Sequence, residues 1–221
     1  MPIQIKLAAG EAVLHGWFES PCLYFVQPDP QTCHDLIKAL APWEIQLSDL
    51  RYEAGVGSLM ESKLSVLVKK LGALVEVRPD RLRLTAFELH QQDISVLATL
   101  SLGLLELTSL MRGSTYKSYS LEFNLHLALA ETDVWKFLRA IVQVPSDLGP
   151  TAAVGATFFF PASESMLPWL VVLEPSASVE GALFLRCAAS WDAKVIDIKA
   201  LPEVVKSHVR RVFSGLGLAT E

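Results

Sequence analysis

The residues most able to do chemistry stand at every second position of one stretch: Ser118, Ser120, Glu122, Asn124 and His126. On an extended strand, residues two apart share a face, so an acid, an amide and an imidazole would form a single polar column. Bordering a cavity, Glu122, Asn124 and His126 would offer a ligand a row of hydrogen-bonding groups. Facing water, the same column is an ordinary antiparallel exterior. These three are the candidate ligand-binding residues.

Other signals are thinner. Glu88 and His90 lie two apart on an expected strand and could act as an acid/base pair, although a surface pair at a strand end is the commoner arrangement. Cys33 and His34, with Cys22, could supply soft metal ligands only if the fold converged them, and neighbours on a helix diverge by about 100°. None of the five histidines, His15, His34, His90, His126 and His208, stands at metal-ligand spacing with another, so no metal is expected. Gly55-Val56-Gly57-Ser58 lacks the third glycine and the lysine of a phosphate cradle and reads as a strand-to-loop exit. Phosphate-loop, dinucleotide, nucleophile-elbow and HExxH patterns are missing, so no cofactor is expected and no catalytic residue is nominated.

The column needs a strand, and its surroundings supply one. Over 119–142, YSLEFNLHLALAETDVWKFLRAIV, the residues Tyr119, Leu121, Phe123, Leu125, Leu127 and Leu129 alternate with the polar set. Thr132 can then cap a helix, Asp133 suits its positive end, and Val134, Phe137, Leu138 and Ile141 give one apolar stripe. A similar order occurs at 22–40: a short strand, Asp29 as cap with Pro30 at the first helical position, and Cys33, Leu36, Ile37 and Leu40 as the stripe.

The remaining elements follow from period and turn chemistry. Ile3, Ile5 and Leu7 alternate, Ala9-Gly10-Glu11 reads as a turn, and 12–18 as the return strand of a hairpin. A strand is expected over 44–54. Residues 59–71 alternate in part but fit a helix closed by Gly72 better. Strands at 73–77 and 82–89 are joined by Arg78-Pro79-Asp80-Arg81, and a largely apolar helix follows over 93–111. Further strands are expected at 151–160, 169–173, 179–190 and 193–198. A last helix begins near Pro202 with Val205, Val209, Val212 and Phe213 inward, before a frayed tail at 217–221.

This is an α+β fold, a mainly antiparallel sheet packed by helices. Residues 1–112 and 113–221 share the order strand, helix, strands, helix, so an internal duplication within one compact pseudo-symmetric unit is expected.

Charge is low at 19% and hydrophobic content high at 51%, which favours covering part of the surface with another subunit. The halves carry 10 Lys/Arg against 13 Asp/Glu and 9 against 11, so net −3 and −2. No basic stripe suited to nucleic acid results. Three cysteines without a pairing motif suit a reducing cytoplasm. No signal-peptide pattern opens the chain, and no apolar run reaches the roughly 20 residues of a membrane span.

Phe158, Phe159 and Phe160 are consecutive, and three such residues on a strand cannot all face one core. With Trp169, one of five tryptophans near element ends, they are the candidate interface. The leading expectation is a non-enzymatic interaction or assembly subunit that self-associates or joins a complex. The alternative is a binding module for an apolar small molecule or peptide held between sheet and helix.

Overall fold

The computed structural model describes residues 2–24, 29–87, 89, 115–142, 154–162 and 167–220. The first half provides β1 (Ile3–Phe18), α1 (Pro30–Ala39), β2 (Leu50–Glu53), β3 (Lys63–Val68), β4 (Ala73–Val77) and β5 (Arg81–Ala86). The second provides β6 (Tyr116–Leu129), α2 (Val134–Ile141), β7 (Ala156–Phe160), β8 (Trp169–Pro175), β9 (Leu183–Asp192), α3 (Leu201–Gly215) and β10 (Leu218–Thr220).

The two longest strands, β1 and β6, pair antiparallel along almost their whole length. From this spine one sheet extends both ways in the order β2-β3-β4-β5-β1-β6-β9-β8-β7, with every neighbour antiparallel. β10 runs parallel to the first residues of β1, beyond the stretch that β5 covers. The path β1-β5-β4-β3 in the first half has the same connectivity as β6-β9-β8-β7 in the second.

Alternation fixes which face is dry. Leu14, Leu84, Val75 and Val66 of one half, and Leu121, Leu185, Val171 and Leu173 of the other, are all buried on one side of the sheet. They share one core with Leu36 of α1, Phe137 and Leu138 of α2, and Leu201, Val205 and Val212 of α3. All three helices among the described residues therefore lie on the same face. Each fully buried leucine contributes about 1.5–3 kcal/mol. On the opposite, open face no helix packs among the described residues, and this face carries the polar column.

Helix starts follow the expected chemistry. Asp29 accepts from the Thr32 amide at 2.7 Å. At α2 the cap is Asp133 rather than Thr132, its carboxylate accepting from the Lys136 amide at 3.0 Å.

Several expectations need correction. Residues 3–18 are one strand and not a hairpin. The register shift between Leu7 and Ala9 is a β-bulge, and the extra residue swaps the inward set from Ile3, Ile5 and Leu7 to Ala12, Leu14 and Phe18. That change of phase imitates a turn in the sequence. Residues 63–68 form a strand instead of a helix, because Leu64, Val66 and Val68 pair between β2 and β4, while Leu67, counted into the helical stripe, points outward at 42% exposure. Strand β2 is shorter than expected, since a 3₁₀ turn at Leu47–Asp49 precedes it. Residues 193–198 turn rather than extend, and the tail is anchored as β10 with Leu218 buried. Cys22 lies in irregular chain, its amide donating to the Pro79 carbonyl at 2.7 Å. The helix expected over 93–111 lies outside the described residues.

Candidate functional site

The structure brings Glu122, Asn124 and His126 to one groove of about 630 Å³ on the open face, with Glu11, Phe87, Ser178 and Arg186 also in its walls. Register places them: β6 puts Asn124 opposite Glu11 of β1 and Arg186 of β9, and His126 opposite Phe184. The β1 bulge lies directly across from His126.

These groups satisfy one another. Glu122 Oε2 accepts from Arg186 Nη2 at 2.9 Å, and its Oε1 accepts from Asn124 Nδ2 at 3.1 Å. The same Asn124 nitrogen donates to Glu11 Oε1 at 2.8 Å. Burial alone would raise the Glu122 pKa, but hydrogen bonds from Arg186 and Asn124, with the charges of Arg186 and His15, outweigh it and hold the carboxyl below its usual range. Glu122 is thus a fixed anion, unsuited to giving up a proton near neutrality. His126 Nδ1 lies 2.8 Å from Ser176 Oγ. That oxygen also accepts the amides of Ser178 at 3.2 Å and Val179 at 2.9 Å, so the His126 ring is tied to the turn after β8. The column is a network that ties β1, β6 and β9 together, and it lies open to water.

A second site was not anticipated. Helix α3 repeats Leu201, Val205, His208 and Val212 along its inner stripe, so a histidine occupies an apolar position of the core face. His208 is 6% exposed and stacks flat on Trp169, with ring centroids 4.1 Å apart and planes within 8°. Phe160 meets the same imidazole edge-on at 6.0 Å. Neither nitrogen of His208 has a hydrogen-bond partner, and neither does Trp169 Nε1. A buried unpaired polar group costs about 1–3 kcal/mol. Burial first, and then the nearby charge of Arg211, push the His208 pKa down to about 4, so the ring is neutral at pH 7.

Two cavities flank this imidazole. One, of about 300 Å³, is walled by Phe158, Phe160, Val171, Val212 and Leu216. The other, of about 270 Å³, is walled by Leu167, Trp169, Glu203, Val204 and Ser207. His208 and Arg211 line both. The signal that could have found the site is the interruption of the α3 stripe by a titratable residue, which becomes meaningful once β8 brings Trp169 against it.

The interface candidates separate accordingly. Phe159 is 69% exposed on the open face, whereas Phe158 and Phe160 are half-buried on the helix side. Trp169, nominated as a surface contact, is 1% exposed and forms a cavity wall, because β8 directs it inward with Val171 and Leu173.

No family model and no curated protein matches this chain. The chemistry must therefore be read from its own residues. Among the described residues no three His, Cys, Asp or Glu side chains converge as metal ligands would. Burial drives the Cys187 thiol up to about 12, which leaves it unreactive, while Cys22 is also buried and Cys33 half-buried. The Gly55 to Ser58 turn is occupied by its own side chains: Glu61 Oε2 accepts from the Gly57 amide at 3.2 Å, and Ser58 Oγ from the Met60 amide at 3.2 Å. A carboxylate sits where a phosphate would need that amide. Glu88 and His90 lie outside the described residues. Among the described residues no helix is long and apolar enough to cross a membrane.

Proposed function

We propose that this chain is a non-enzymatic assembly subunit that associates with a second copy of itself through the β7 edge. One observation carries the reading. Among the described residues, strand β7, Ala-Thr-Phe-Phe-Phe, ends the sheet without a charged residue, and it places Phe159, 69% exposed, beside Leu170 and Val172 on the open face. An edge strand offers unpaired backbone groups, and proteins that stay apart usually place charge there. An uncharged edge has no electrostatic penalty against pairing with an identical one, and an exposed phenylalanine gives such a contact its apolar anchor. Antiparallel β7 pairing about a two-fold axis would join two sheets into one. Low charge and high hydrophobic content fit a surface that is partly covered in use. The equivalent strand orders of the two halves support an internal duplication, and three free thiols support a reducing cytoplasm; the even charge distribution gives nucleic acid no foothold.

Light scattering on the purified chain at micromolar concentration tests this. The expected mass is twice 24.3 kDa, falling to 24.3 kDa for Phe159→Asp. A monomer without the substitution sinks the self-association reading.

A second reading, a binding module for an apolar small molecule held between sheet and helix, is favoured by the cavities at His208 between α3 and strands β7 and β8.

A further inference from the structure

We propose that the larger cavity beside α3 binds an uncharged molecule built on one aromatic ring with a short alkyl arm, held by shape and carbon contacts alone; this rests on the binding-module reading and names its class of ligand.

The walls decide the charge. Among the described residues, Phe158, Phe160 and Val171 of the sheet and Val212 and Leu216 at the end of α3 surround about 300 Å³. His208 also lines this space, but its two nitrogens have almost no accessible surface, so the ring shows the cavity its carbons. Arg211 is already partnered. An entering molecule therefore meets carbon almost everywhere. A charged or hydroxyl-rich one would give up its hydration and receive nothing in return, whereas a hydrocarbon-like one gains by leaving water.

Size and ring geometry decide the rest. A dry cavity of about 150 Å³ walled by leucine, isoleucine and phenylalanine takes benzene, so a space of about 300 Å³ suits a ring with a short arm and excludes a sterol. Phe158 and Phe160 lie 6.5 Å apart with planes 36° from parallel, and Phe160 meets His208 edge-on, so an inserted aromatic finds tilted and edge-to-face neighbours.

Access is at the end of α3. Gly215 lines the cavity and is exposed, and a Cβ there would meet nothing within 4 Å. The smaller cavity has a different character, because Glu203 and Ser207 stand in its wall.

The test uses the full chain with propylbenzene, 4-propylbenzoate and 1-octanol as probes, read by calorimetry and by NMR of the methyl groups. Propylbenzene is expected to bind and to shift the methyl signals of Val171, Val212 and Leu216, with 4-propylbenzoate at least tenfold weaker and 1-octanol at least threefold weaker. Val212→Phe puts a ring into the space and should weaken propylbenzene at least tenfold. Should that variant fail to fold, the position of the shifts in the unsubstituted protein decides by itself. If 4-propylbenzoate or 1-octanol binds as well as propylbenzene, or if the shifts lie at other methyl groups, the assignment of an uncharged ring to this cavity falls and the binding-module reading stands. If no probe binds, both fall.

Discussion

The two ends of the sheet handle water in opposite ways. Across β2 to β5 the open face carries alternating charges: Lys63 lies 3.1 Å from Glu53 and 3.5 Å from Glu76, and Arg83 lies 3.3 Å from Glu76. Next to them, Arg81 sits 4.9 Å above the Trp17 ring. The β2 edge itself shows Arg51 and Glu53 to solvent. At the other end, the corresponding face presents Leu170, Val172 and Phe159, and β7 has no charge at all. A surface ion pair such as Lys63 with Glu53 contributes only about 0–1 kcal/mol to stability, while Glu76 is itself buried between its two cations. The effect of such pairs is on what the surface will touch. The outer face is finished with ion pairs across the first half, although Leu67 and Phe87 are each 42% exposed there, and it turns apolar only at the β8 and β7 end of the second, beyond the polar network of β6 and β9. On the helix side, the second half leaves two cavities beside an unpaired histidine.

The sharpest way to break this comparison is in the core of the second half. Trp169→Ala should cost about 3–5 kcal/mol in urea unfolding, at the upper end because the space beside it is already empty and cannot collapse further. A loss below about 2 kcal/mol would mean that this wall is less tightly packed than its 1% exposure implies.

His208 gives the next largest effect. Its folded pKa lies near 4 against an ordinary 6.5, so the unfolded chain takes up a proton that the folded one refuses. The stability is therefore full above pH 6.5 and is lost as the pH falls from 6.5 towards 4, by up to about 3 kcal/mol. The difference between the unsubstituted protein and His208→Phe should widen over that window and stay constant above it. A parallel pair of curves would show that the imidazole is hydrated in the folded state.

At the edges, Phe159→Asp should weaken self-association at least a hundredfold, about 2.8 kcal/mol, whereas Arg51→Asp on β2 should leave the solution mass unchanged. Equal effects from both would place the contact elsewhere. The smallest change is expected in the charged lattice. Lys63→Met should alter stability by less than about 1 kcal/mol, and most of that should disappear in 1 M salt.

What could be read in the sequence was local. The switch from period two to 3.6 at 119–142, Asp29 and Pro30 at α1, and the turn at Arg78 to Arg81 each reside in a few neighbouring residues, and each appears where expected. The misreadings came from pairing at a distance. The β1 bulge is set by its pairing with β6, so a phase change looked like a turn. The strand at 63–68 is fixed by β2 and β4, and β10 by the opposite end of the chain. The polar column was visible as a column. That its members bond to Glu11, Arg186 and Ser176, and so have little left for a ligand, depends on three other segments. His208 remained one of five histidines until β8 supplied Trp169.

Strand β10 also sets the timing of folding. Ile3 pairs with Leu218, so the start of β1 waits for a segment made roughly 215 residues later (218 − 3). At 5–20 residues per second that interval is roughly 10–40 s. Throughout it the opening residues of β1 keep one edge bare, while β6 can already occupy the other. The nascent sheet is thus most open to capture by a chaperone, or to mispairing with a neighbouring chain on the same message, at the strand that later forms its centre.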